Sequence, residues 1–163
     1  MTKANLLSWH SVENYLDLIG MVSDIDINQV RKIFNQGETL FPGELKMIFI
    51  SNYKETNGKD KFKDLWLFSD NCLIEVLNFN KEETLNFDIT IFRKNIHTIS
   101  IETSNLNFSQ SAKDDSKLHI EFYILNGFSC DQLAYGRNCD VLMSIYKKYL
   151  IPNLVSGQAS IIH

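Results

Sequence analysis

The chain has 163 residues, of which 44% are hydrophobic and 22% are charged. These values are typical of one globular domain with a sizeable core, so residues 1–163 are predicted to form a single domain. A net charge of −4 argues against general binding to nucleic acids. No apolar run reaches the roughly 20 residues of a membrane span, and no secretory signal is present. We therefore predict a cytoplasmic protein.

The cysteines indicate a reducing compartment. Cys72, Cys130 and Cys139 are odd in number and lack CxxC spacing. We expect free thiols, with a Cys130–Cys139 bridge as the alternative.

Residues 1–43 are predicted to form two amphipathic helices. The first covers residues 11–19, where apolar side chains recur at helical spacing. The second covers residues 27–36, with Asp26 in a capping-box pattern at its start and Gly37 as its end. Because both helices are short, they need a surface on which to pack.

Beyond Pro42 and Gly43 the apolar pattern changes to a period of two, which predicts strands. The predicted strands cover residues 44–53, 65–68, 72–77, 85–91, 96–101, 117–125 and 128–133. The first three have apolar residues on both faces, so we expect the N-terminal helices to cover one of these faces. Asn57-Gly58 and Asn126-Gly127 predict tight turns.

The last predicted element is a helix that begins near Asn138, a favourable N-cap residue, and ends before Pro152. Its apolar residues lie on one side, as expected of a helix that closes one end of a sheet structure. Residues 153–163 are predicted to be a loosely held tail.

This order of elements predicts an α+β fold, in which seven antiparallel strands form a sandwich or partly open barrel capped by the last helix. Residues 65–77, LWLFSDNCLIEVL, resemble a hairpin common in pleckstrin-homology-like (PH-like) domains. IFRKNIHTISIE, residues 91–102, is similar to their strand entering the second sheet. The resemblance covers residues 44–152. Many PH domains carry a Trp in the closing helix, and this chain has none there, so a bacterial PH-like family is the better comparison.

The resemblance implies a non-enzymatic intracellular binding or scaffold protein whose partner is another protein. The sequence contains no HExxH or GxSxG motif and no glycine-rich phosphate loop. We therefore predict no enzyme activity, no metal site and no cofactor.

The lysine-rich loop at residues 54–63 suggests a second function. In phosphoinositide-binding PH domains, the loop of the first hairpin supplies basic residues to the head group. By resemblance, Lys54, Lys59, Lys61 and Lys63 would bind an anionic lipid or phosphate. No Arg is present to grip phosphate through two hydrogen bonds, so a solvated loop is the alternative.

A third interpretation is a small-molecule carrier or enzyme with an NTF2-like or START-like cavity, which predicts a polar cavity lined by His97 or His119. The side chains of His119, Glu121 and Tyr123 would share one strand face, either as a proton-transfer patch or as an exposed polar surface. Cys139, at the start of the last helix, is a candidate for a lowered thiol pKa.

Overall fold

The structure, a computed structural model, describes residues 6–54, 60–81, 83–91, 94–124 and 129–155. These residues form three α-helices and seven strands. The helices are α1 (Trp9–Leu18), α2 (Asp24–Leu40) and α3 (Asn138–Ile145). The strands are β1 (Met47–Lys54), β2 (Asp60–Phe68), β3 (Cys72–Val76), β4 (Asp88–Ile91), β5 (Ile96–Ser104), β6 (Lys117–Ile124) and β7 (Ser129–Tyr135).

The strands form two antiparallel sheets. One sheet has the order β1-β2-β3-β4 and the other the order β5-β6-β7, so strands that are consecutive in the chain pair with each other. The predicted α+β class and antiparallel pairing are confirmed. Over the described residues the two sheets do not close into a barrel, and the PH-like sandwich remains a prediction.

β2 and β3 separate two hydrophobic cores. Leu67 and Ile74 belong to the core that also contains the apolar side chains of α1 and α2. Phe68 and Leu73, which alternate with them, belong to the core formed with the second sheet and α3. The prediction that the N-terminal helices cover the second face of the strands is therefore confirmed.

α2 is longer than predicted, because it begins after a Ser23 cap and continues to Leu40. Gly37 was expected to end the helix but lies inside it. A Cβ atom at this position would lie 2.6 Å from Cδ1 of Leu67 and 3.0 Å from Cδ1 of Leu45. Gly37 therefore allows close packing of α2 on the sheet rather than a helix stop.

The role predicted for Asn138 as an N-cap is wrong. Arg137 holds the cap position, without a side-chain hydrogen bond, and the Asn138 side chain is buried. Its Nδ2 donates to the carbonyl of Ile50 at 2.8 Å, and its Oδ1 accepts from the hydroxyl of Tyr15 at 2.7 Å. The Asn138 side chain thus forms tertiary hydrogen bonds instead of the predicted N-cap hydrogen bond. Beyond α3 the chain continues through a π-helical turn, Tyr146–Leu150, and a 3₁₀ turn, Ile151–Asn153.

β4 is shorter than predicted and lies at the edge of its sheet. Ile89 and Ile91 are 44% and 50% exposed, so they do not point into a core as the alternating pattern predicted. The two Asn-Gly turns and residues 156–163 of the predicted tail lie outside the described residues.

The three cysteines are buried free thiols, which confirms that prediction over the bridged alternative. None of the described helices combines the length and apolar character needed to cross a membrane.

Candidate functional site

An open cleft of about 690 Å³ lies between the two sheets. Strands β1, β2 and β3 supply one side, and β6 and β7 supply the other. We call it the inter-sheet cleft. Its lining side chains are Ser51, Asn52, Lys63, Asp64, Trp66, Glu75, Leu77, Asn78, Lys81, Lys117, His119, Ser129, Asp131 and Leu133.

The cleft forms where β1 meets β7. The Ser51 hydroxyl donates to the carbonyl of Leu133 at 3.1 Å and accepts from its N–H at 3.0 Å. Asn52 Oδ1 accepts from the N–H of Tyr135 at 3.1 Å. The β1–β2 register is irregular between Ile50 and Asn52, and both Ser51 and Asn52 are buried. These bonds join the sheets at one end of the cleft.

Glu75 is a buried carboxyl group in the cleft wall, with only 9% of the residue exposed. It lies directly across the β2–β3 pair from Trp66, whose indole Nε1 donates to Glu75 Oε2 at 3.2 Å. The thiol of Cys130 donates to the same oxygen at 3.4 Å. Burial raises the pKa of Glu75, and the nearby charge of Asp64 raises it further. Among the described residues, none donates a hydrogen bond to Oε1.

Asp64 is the second buried carboxyl group, with 5% of the residue exposed. Its Oδ1 accepts from the N–H of Asn78 at 2.8 Å. Asn78 has a positive φ of 49°, a conformation that Asn tolerates better than most residues. Burial raises the pKa of Asp64, while the charge of Lys63 lowers it. No described residue donates a hydrogen bond to Oδ2 of Asp64.

Three lysines and the His119–Asp131 contact are also part of the lining. Lys117 lies 3.6 Å from Glu102, and His119 contacts Asp131. Lys63 and Lys81 form no ion pair with a described residue. The described part of the chain has no group of three or more His, Cys, Asp or Glu side chains arranged to hold a metal ion. The cleft therefore combines buried acceptor oxygens with ammonium groups.

Of the four predicted anion-binding lysines, the structure describes the side chain of Lys63, which lines the cleft. Lys54 and Lys61 lie on β1 and β2, and their side chains are outside the described part of the structure. Lys59 lies wholly outside the described residues. The proposed role of the four lysines together thus stays a prediction.

The two histidines that were predicted to line a cavity lie in different places. His119 lines the cleft, whereas His97 lies on β5 and is not among the lining residues. Tyr123 donates to Glu121, while His119 pairs with Asp131 of the neighbouring strand. The described hydrogen bonds therefore do not join His119, Glu121 and Tyr123 into a proton-transfer path.

The expectation of a lowered thiol pKa at Cys139 is wrong. The side chain is fully buried, and its thiol donates to the carbonyl of Ala134. Burial, together with the charge of Asp140, raises the pKa of Cys139 to about 12. Desolvation outweighs any effect of the helix N-terminus on this thiol.

The sequence analysis did not identify the acidic residues of the cleft, although their positions on apolar strand faces are visible in the sequence. Glu75 stands between Leu73 and Leu77 on a strand face that is otherwise apolar. Asp64 precedes Trp66 by two residues and shares its face. A single carboxyl group at an inward position of a hydrophobic strand indicates either a hydrogen-bonded partner or a binding site. No periodicity predicted that β7 would bring Asp131 beside them.

No protein-family model, curated protein or solved structure matches this chain.

Proposed function

We propose that this protein is a non-enzymatic binding protein that takes up a small polar molecule in the inter-sheet cleft. One observation carries the proposal: the cleft of about 690 Å³ is lined by apolar, charged and hydrogen-bonding side chains from both sheets. Ligand sites commonly have volumes of roughly 300–1,000 Å³ and combine apolar walls with a few convergent polar groups.

The reactive groups beside the cleft favour binding over nucleophilic catalysis. Cys130 is the thiol nearest to the buried carboxyl groups, and it donates its hydrogen bond to Glu75. Burial and the neighbouring Glu75 charge both raise the pKa of Cys130. A thiol in this environment stays protonated and is a poor nucleophile.

The other predicted functions are weaker proposals. A protein partner rests on the PH-like resemblance, and an anionic lipid or phosphate partner rests on the lysine loop. Lys63, which the anion hypothesis names, also lines the cleft. A polar cavity lined by His97 or His119 was the feature expected of an NTF2-like or START-like carrier or enzyme, and the position of His119 in the cleft lining supports a small-molecule function.

The two tryptophans provide a direct test. Trp66 lines the cleft, whereas Trp9 packs on Phe34 in the helix-covered core. In ¹H–¹⁵N NMR spectra of the full chain, a library of small polar metabolites should contain members that shift the Trp66 indole signal and leave the Trp9 signal in place. If no member shifts the Trp66 signal selectively, the proposal is wrong.

A matched pair of substitutions locates the binding. Leu77 is 48% exposed and lines the cleft, whereas Ile101 is 39% exposed on β5. We expect Leu77→Tyr to weaken binding of the selected compound at least about tenfold, because the larger ring fills part of the cleft. Ile101→Tyr should leave the affinity unchanged. Equal effects of the two substitutions would place the binding elsewhere.

A further inference from the structure

We propose that the ligand of the inter-sheet cleft is a small zwitterion, whose protonated amine binds between Asp64 and Glu75 and whose acidic group faces the lysines. This inference rests on the proposed function, since it names the chemical class of the molecule that the cleft binds.

The first step is the position of the two carboxyl groups. Trp66 and Glu75 are directly paired across β2 and β3, and Asp64 lies two residues before Trp66 on the same strand face. Asp64 and Glu75 both line the cleft, and the charge of Asp64 acts on Glu75, so the two carboxyl groups are neighbours in the cleft wall. An ammonium group can donate a hydrogen bond to a carboxylate on each side, at N···O distances of about 2.8 Å.

The second step is the count of donors and acceptors. Trp66 Nε1 and the Cys130 thiol both donate to Oε2 of Glu75, and the Asn78 N–H donates to Oδ1 of Asp64. The other oxygen of each carboxyl group has no donor among the described residues. Two largely buried carboxyl groups thus each have an oxygen available in the cleft, and a ligand that binds these oxygens must be a hydrogen-bond donor.

The third step is charge. The two carboxyl groups are close enough for the charge of Asp64 to raise the pKa of Glu75, and burial raises the pKa of both. A cation placed between them removes this repulsion and compensates the loss of water. The described residues offer no metal-binding group of three ligands, which favours an organic cation as the occupant.

The fourth step is the opposite charge on the remaining lining. Lys81 and Lys63 are exposed and unpaired within the described part of the chain, and Lys117 is paired only with the exposed Glu102. Ammonium groups at this position favour an acidic group on the ligand and disfavour a purely cationic ligand such as a polyamine. A zwitterion carries a group of the opposite charge for the carboxyl groups and for the lysines of the cleft.

Other charged groups of the cleft do not replace the ligand amine. Lys63 is the cation that lowers the pKa of Asp64, but it makes no ion pair with it. The ring of His119 contacts Asp131. An incoming amine therefore competes with Lys63 for Asp64, and not with an existing hydrogen bond.

Three six-carbon probes test the proposal: ε-aminocaproate, n-hexylamine and caproate. They share the same carbon chain and differ only in their charged ends. Titrations follow the Trp66 indole signal, with the Trp9 signal as internal reference. We expect ε-aminocaproate to bind at least about tenfold more tightly than caproate, because caproate has no donor for the two carboxyl groups.

Isosteric substitutions assign the effect to the two carboxyl groups. Glu75→Gln keeps an oxygen that can accept from Trp66, and Asp64→Asn keeps one that can accept from Asn78, so both variants should stay folded. Each should weaken ε-aminocaproate binding at least about tenfold and leave caproate binding unchanged. A single cooperative unfolding transition and an unshifted Trp9 signal verify the fold of each variant.

Lys63→Met separates a cation site from an anion site. If the amine binds at Asp64, removal of the competing lysine leaves n-hexylamine binding unchanged or strengthens it. If caproate binds more tightly than n-hexylamine and Lys63→Met weakens it, the inference is overturned in favour of an anion site. Library compounds that shift Trp66 equally in wild type, Glu75→Gln and Asp64→Asn would overturn the inference but leave the proposed function standing.

Discussion

The two faces of β2 and β3 consist of alternating residues of the same strands, yet they have opposite surroundings. On one face Leu65, Leu67, Ile74 and Val76 are all apolar and are fully covered by the N-terminal helices and their core. On the other face the apolar residues give way to Asp64 and Glu75 at the end where the inter-sheet cleft opens. Complete coverage by helices leaves no room for carboxyl groups, whereas an open cleft gives them water or a ligand.

The comparison shows that the inter-sheet cleft lies on one face of β2 and β3 and at one end of these strands. The opposite end of the same face is closed by α3 and the turn after it, where Phe68 packs on the ring of Tyr149 at 5.2 Å between centroids. The sheet therefore combines a stabilising face, a closed end and an open polar end.

The largest loss of stability is expected for a substitution on the helix-covered face. Leu67→Ala should lower the free energy of unfolding by about 2–5 kcal/mol, because it leaves a cavity beneath α2. Urea unfolding of the full chain measures the change. Ile25→Ala is the matched control on α2, where the side chain is 78% exposed, and we expect a change of no more than about 0.5 kcal/mol. Similar losses from both variants would contradict the described packing of this face.

An intermediate loss of stability is expected for the buried hydrogen bonds that connect α1 of the helix-covered core to α3. Tyr15 of α1 accepts from the N–H of Ile50 at 2.8 Å and donates to Asn138 of α3 at 2.7 Å. Asn138→Ala should destabilise the protein by about 1–3 kcal/mol, because it leaves buried polar groups without partners. Arg137→Ala, at the neighbouring exposed residue, should change the stability by no more than about 0.5 kcal/mol.

A double-mutant cycle sharpens this second prediction. Tyr15→Phe, Asn138→Ala and the double variant should give a coupling energy of about 0.5–3 kcal/mol in urea unfolding. Additive losses would show that the helix-covered core and α3 are stabilised independently of each other.

The smallest effect is a pH dependence of stability that arises from Glu75 in the cleft. Burial raises the pKa of Glu75 above its ordinary value of 4.5, so the folded protein binds more protons than the unfolded chain as pH rises above that value. The Glu75 contribution to wild-type stability is therefore present at low pH and is lost as pH rises through the raised pKa. Glu75→Gln removes this loss. Its stability relative to wild type should increase between about pH 4 and about pH 8.

Urea unfolding at a series of pH values measures this difference. The Asp64 carboxyl group, whose pKa is also raised, remains in both proteins and cancels to first order. A relative stability of Glu75→Gln that is flat or falls with pH would contradict the burial of this carboxyl group.

Much of the architecture was contained in local patterns. The period of two predicted a strand at residues 117–125, and in β6 the alternating side chains of Leu118, Ile120, Phe122 and Ile124 are all buried. β2 and β3 pair as the hairpin that residues 65–77 resemble. Patterns of this kind follow from the strand period and from turn chemistry, which depend on neighbours in the chain. The cleft could not be predicted in the same way, because its walls join residues far apart in the sequence.

The sequence by itself determined the two amphipathic helices, the antiparallel order of consecutive strands and the doubly apolar character of β2 and β3. Tertiary structure alone decided that Gly37 lies within α2 and that Cys130 lies against Glu75. It also decided that the Asn138 side chain forms hydrogen bonds with Tyr15 and Ile50 instead of capping a helix. The physical reason is the range of the interactions. Periodicity and turn preference act over a few residues, whereas close packing, buried hydrogen bonds and desolvation depend on which distant segments meet.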